Sequence, residues 1–192
     1  LELGYASDLI TDSMSALGLE TEDTATFVDQ LAKTSQKSNT SLGQLGEAIL
    51  TVGGTAKKLQ GGTVELNTAL GILADNGIKG AEGGTALRNV ILSLSAPTDT
   101  AAKELKKLGV NAYDANGNFR SLDDIFIDLN KSTNGLSEAA KNQAFTKIFN
   151  KTDLKAVEAL LANAGGRFDE LSGAIEQSGG AAEEMAKTMN SN

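Results

Sequence analysis

The side chains that could do chemistry in this chain are carboxylates and lysines, because it contains no cysteine and no histidine. That removes thiolate and imidazole metal ligands, cysteine nucleophiles and the serine–histidine–aspartate triad together. Paired carboxylates remain at Asp123-Asp124 and Glu183-Glu184, and two carboxylates flanking a glycosidic bond can hydrolyse it. Adjacent residues point along a helix surface, however, and the chain has no Trp and only two Tyr to line a sugar cleft. Both pairs are expected on solvated helix faces. Asp114, Asn116 and Asn118 copy the first three ligand positions of a calcium loop. The match ends at Phe119, where such a loop needs Gly, and at Ile125, where it needs a bidentate Glu, so the stretch reads as a turn.

Glycine-rich loops that cradle phosphate need Gly-Lys followed by Ser or Thr at a helix start, and Lys57, Lys58 and Lys79 are not so placed. Gly80-Ala81-Glu82-Gly83 spells a GxxG without the sheet and basic flanks that its RNA-binding use requires, and reads as a joint between helices. Lys103, Lys106 and Lys107 form the densest positive patch, on the outer side of a short helix that buries Leu105 and Leu108. With 25 acidic against 17 basic residues and a formal charge of -8, the chain is poorly suited to neutralising phosphates, and the segment is expected to bind no nucleic acid. No catalytic, cofactor-binding or metal-ligating residue is assigned, and the protein is expected not to be an enzyme.

The elements that position these residues are helices. Apolar residues recur at helical spacing in Leu42, Leu45, Ile49 and Val52, in Leu66, Ala69, Leu70 and Leu73, and in Leu87, Val90, Ile91 and Leu94. The pattern returns in Leu122, Ile125, Phe126 and Leu129, in Ala144, Phe145, Ile148 and Phe149, in Leu154, Val157 and Leu161, and in Phe168, Leu171 and Ile175. Ala182, Met185, Ala186 and Met189 form a last stripe, facing either this domain or a partner helix. Ser41 with Gln44, Ser121 with Asp124, and Ser137 are placed as N-caps. Gly18, Gly77, Gly109 and Gly135 are placed as left-handed stops. The glycine pairs at 53-54, 61-62, 83-84, 165-166 and 179-180 read as joints between helices. Asn116-Gly117 predicts a tight reversal. The expected fold is all-α, a compact bundle of roughly nine to eleven short helices with one small β-hairpin near residues 110–120. Its predicted core includes Leu45, Ile49, Leu70, Leu73, Val90, Ile91, Leu94, Ile125, Phe126, Phe145, Ile148 and Phe149.

At 192 residues the chain can bury roughly 70% of its unfolded surface without a disulfide or metal. No apolar run reaches the roughly 18 to 20 residues of a membrane span; residues 70–74 stop at Asp75. The chain opens at Leu1 without an initiator Met or basic leader, in what reads as a helix carrying Leu9, Ile10, Met14 and Leu17. It is expected to be one unit, residues 1–192, cut from a longer chain, with a candidate sub-boundary near 97–110.

Four stretches resemble, in order, the core region of phage tail tape measure proteins of the TP901 type. The first is Ser38-Asn39-Thr40-Ser41-Leu42 with Gln44, Leu45 and Ala48; the second runs from Gly71-Ile72-Leu73-Ala74 through Asn76-Gly77-Ile78-Lys79-Gly80. The third is Gly84-Thr85-Ala86-Leu87-Arg88-Asn89 with Leu94 and Pro97-Thr98. The fourth is Leu108-Gly109-Val110 with Asp114, Asn116-Gly117-Asn118-Phe119-Arg120-Ser121-Leu122 and Asp124-Ile125. A weaker echo spans Gly179-Gly180-Ala181-Ala182 to Met185-Ala186 and Met189. After Ile148-Phe149 the family usually carries Gly, and here Asn150 stands, the next-best left-handed residue. The resemblance implies a virion structural protein of a phage or prophage, assembled in the bacterial cytoplasm, lying in the tail-tube lumen and setting tail length. Its implied partners are other tail proteins or its own copies. Two other readings stay open at this point: a carboxylate-dependent cell-wall hydrolase fragment, and a helical interaction adaptor unrelated to phage.

Overall fold

A computed structural model describes residues 3–191. Eleven α-helices follow one another among them: α1 (Leu3–Leu17), α2 (Thr24–Lys37), α3 (Leu42–Val52), α4 (Gly62–Asp75), α5 (Gly80–Ser95), α6 (Asp99–Leu108), α7 (Leu122–Thr133), α8 (Glu138–Ile148), α9 (Leu154–Asn163), α10 (Arg167–Glu176) and α11 (Ala181–Asn190). Short 3-10 turns at Thr21–Asp23, Gly53–Lys58 and Lys151–Asp153 lead into α2, α4 and α9. All twelve predicted core residues are buried, in one cluster that reaches from Met14 to Ile175.

The centre is α4, in which residues 65–74 are all buried. A helix buried on every side must be surrounded by others, and α2, α5, α9 and α10 pack round it. The predicted caps form where placed. Ser41 Oγ accepts the N–H of Gln44 while Gln44 Oε1 accepts that of Ser41; Ser121 Oγ accepts from Asp124 and Ser137 Oγ from Ala140. Gly18, Gly77 and Gly109 have left-handed φ.

Three expectations are corrected. The β-hairpin near 110–120 reduces to one isolated antiparallel bridge, Tyr113 to Phe119, with no sheet among the described residues. The reversal is present: Asp114 Oδ1 accepts the N–H groups of Asn116 and Asn118, and Gly117 takes a positive φ of 80°. The arms exchange two backbone hydrogen bonds, from the Asp114 N–H to the Asn118 carbonyl and from the Arg120 N–H to that of Ala112, and the pairing ends there. Val110, Ala112 and Phe119 are buried in the helical core, and the chain passes into the cap of α7 at Ser121. Next, Gly83-Gly84 is not a joint but lies within α5, buried against its neighbours. A methyl on Gly84 would stand 2.3 Å from the carbonyl oxygen of Ala48, so α5 and α3 approach backbone to backbone. Last, Gly135 has no positive φ; α7 ends at Asn134 in right-handed geometry, so no left-handed residue is required there.

Candidate interaction surface

The residues singled out by chemistry fall into two groups. Lys103, Lys106 and Lys107 stand exposed on α6, whose Leu105 is buried and Leu108 half-buried, and Glu183 and Glu184 stand exposed on α11. The Asp114 carboxylate is engaged by its own turn. Gly80 opens α5 with φ of 62°, and Gly83 lies against the Ile78 carbonyl, so the GxxG is the start of a packed helix rather than an open loop.

Asp123 departs from expectation. Its neighbour Asp124 is exposed, but Asp123 is buried and accepts the Gly165 N–H at 2.7 Å, which ties α7 to the turn before α10. Burial raises its carboxyl above the ordinary range; the Gly165 N–H pulls it down, and Asp169 and Asp124 push it up again. Sequence reasoning missed Glu65 altogether. Its Oε1 accepts the N–H of Leu122 at 3.0 Å and its Oε2 that of Gly61 at 3.3 Å, so one buried carboxylate closes the starts of both α7 and α4. Burial again raises its carboxyl, against the lowering effect of the two N–H donors. A charge between Val64 and Leu66, on a helix whose apolar stripe includes Leu66, Ala69, Leu70 and Leu73, was the signal. Both carboxylates clamp backbone, and neither lines the grooves between α1 and α2, α5 and α8, or α5 and α9. That arrangement holds loops in place.

The site with room for a partner lies at the other end. α1 packs one face on α3, where Leu9 presses so closely on Gly46 that a methyl there would stand 2.3 Å from Leu9 Cγ. Among the described residues nothing covers its other face. Between that face and the 21–28 segment runs a groove of about 940 Å³, with Met14 buried, Ile10, Leu19 and Val28 half-buried, and Ser7 and Thr11 exposed along it. At the far side of α2, Asp29 accepts the N–H groups of Gly180 and Ala182 at 3.0 Å each and so caps α11. In α11 only Ala181 is buried, Met185 is half-buried and Met189 is 73% exposed, so the methionine stripe is mostly turned outward. No helix among the described residues is long and apolar enough to cross a membrane.

Short capped helices that bury their stripes, carboxylates that clamp loops, and an open apolar groove define a helical structural module. The chain belongs to the phage-related minor tail protein family, which its residues 1–150 match. Two curated relatives align along nearly all of it. The tape measure protein of Pneumococcus phage Dp-1 is 31% identical over 191 residues, all of this chain and 17% of that protein. The probable tape measure protein of Escherichia phage P2 is 29% identical over 187 residues, 96% of this chain and 23% of that protein. The chain thus spans about a fifth of the length of these relatives. No solved structure matches it. It is a structural segment of a phage tail protein, and a virion component by family.

Proposed function

We propose that this chain is a folded station within a tape measure protein, acting in tail assembly and tail-length determination from the tail-tube lumen after assembly in the host cytoplasm. It works by contact with other tail proteins or its own copies, without catalysis and without binding nucleic acid. The observation that carries this reading is likeness to two tape measure proteins along nearly the whole chain, in a segment folded back on itself. Drawn out as one helix at about 1.5 Å per residue, the chain would span on the order of 290 Å. Among the described residues eleven helices instead pack on one another, and α4 is buried along residues 65–74. A ruler is laid along its tube, whereas a packed core cannot lengthen in proportion to residues added. The carboxylate-hydrolase reading draws no support from Asp123 or Glu65, which hold backbone.

The test is a pair of in-frame deletions in the parent phage, viewed by electron microscopy. Removing residues 121–133 is expected to abort assembly, while deletions in a long helical stretch elsewhere in the parent give viable, shorter tails. Tails shortened in proportion by the deletion inside this segment would make it part of the ruler and overturn the reading.

A further inference from the structure

The groove beside α1 has an electrostatic setting that narrows its partner. The first 32 residues of the chain carry seven carboxylates and no Lys or Arg, so nearly all of the net charge of -8 arises there. Asp8 and Asp12 follow Ser7 and Thr11 along α1, and Glu20, Glu22 and Asp23 interleave with Leu19, Thr21 and Thr24 on the opposite side. All five are exposed. Among the described residues none of the five meets a Lys or Arg in an ion pair. Asp23 and Glu20 do accept each other's backbone N–H groups, which fixes their place without cancelling their charge. Lys57 lies against Gly18 at one end.

We infer that this groove receives an amphipathic helix of another polypeptide, its apolar stripe on Ile10, Met14, Leu19 and Val28 and its Lys or Arg flanks against the acidic rim. The inference rests on the station reading and names the chemistry of one contact. None of these carboxylates lines the groove itself, but an apolar floor beside a cluster of unpaired negative charge, Asp8 on α1 and Glu20, Glu22 and Asp23 before α2, selects by complementarity. A second copy of the same face, an anionic lipid surface and nucleic acid all bring negative charge to negative charge. Small side chains at Ala6, Ser7 and Ser15 let a helix approach closely.

The experiment titrates the chain with labelled designed helical peptides of about 18 residues and reads fluorescence anisotropy. One carries Leu at i, i+3, i+4 and i+7 with Lys flanks, the second has the same stripe with Glu flanks, and the third is the scrambled Lys peptide. The Lys-flanked stripe should bind at least about tenfold tighter than either, and the gap should shrink as salt screens the rim. Thr11→Arg should weaken that binding about tenfold or more, with Glu183→Lys on α11 as the unaffected control. Thr21→Arg replaces Thr11→Arg if the latter alters the melting curve. Equal affinity for the three peptides, or binding indifferent to both arginine variants, overturns the inference. So does a dimer of the chain in sedimentation that Thr11→Arg dissolves, since a second copy would then cover the groove. In phage, a folded Thr11→Arg protein that builds normal tails while deletion of residues 121–133 aborts them would overturn the groove's role and leave the station reading standing. Normal tails from both would sink the station reading itself.

Discussion

Phe126 of α7 is buried and stacks on Phe149 with ring centroids 6.1 Å apart, while Tyr113 and Phe119 meet edge to face at 5.6 Å. In a core with six Phe and no Trp, each ring fills a large share of the space. Phe126→Ala is expected to cost about 3 to 5 kcal/mol in denaturant unfolding, because the cavity lies where α7 meets the segment after α8. Gly84→Ala acts in the opposite sense, by overfilling. The new Cβ would meet backbone rather than a movable side-chain end, so a loss of about 1 to 3 kcal/mol should appear in thermal melts. Glu65 makes a pH prediction. Its folded carboxyl holds a proton to higher pH than the unfolded one, so the folded state binds more protons in that window. Its contribution is therefore fully present below the ordinary glutamate range and is lost as pH rises through the raised folded value. Measured against Glu65→Gln, the wild-type chain should lose relative stability on going from about pH 4 to pH 7. A constant difference across that range would refute the assignment.

Helices here are held at their ends as much as along their faces. Ser121 caps α7 from its own sequence while Glu65 caps it from across the fold, and the local cap alone is worth about 0.5 to 2 kcal/mol, the loss expected for Ser121→Ala in urea unfolding. For α11 the distant cap dominates. Asp29 supplies two acceptors to a helix with little buried surface, so Asp29→Ala should speed hydrogen exchange of the α11 amides while leaving those of α4 unchanged. The N-caps at Ser41, Ser121 and Ser137 were legible because each bond spans three residues of chain. The role of Gly83-Gly84 was not. A glycine pair that opens a joint and one that lets another helix press against the backbone look alike in sequence, and only the position of Ala48 separates them.

At the scale of the whole molecule, the helical stripes and the caps and turns between them make the chain fold back rather than extend. A compact chain of this length should show a radius of gyration of about 16 Å in small-angle scattering, far below that of any extended helix. The sequence by itself determined that the fold is all-α, which stripes form its core, where α3, α7 and α8 begin and that no thiolate or imidazole chemistry is available. These follow from periodicity, composition and bonds between near neighbours. The tertiary structure alone decided that the turn at Asp114 makes no sheet, that Asp123 is a buried clamp and Asp124 is not, that Glu65 closes the starts of two helices and reaches one of them, at Leu122, across 57 residues of chain, and that among the described residues nothing covers one face of α1. Each of these depends on what lies across space from a residue. Burial, backbone approach and an uncovered face are properties of the packed chain, and no spacing along the sequence encodes them.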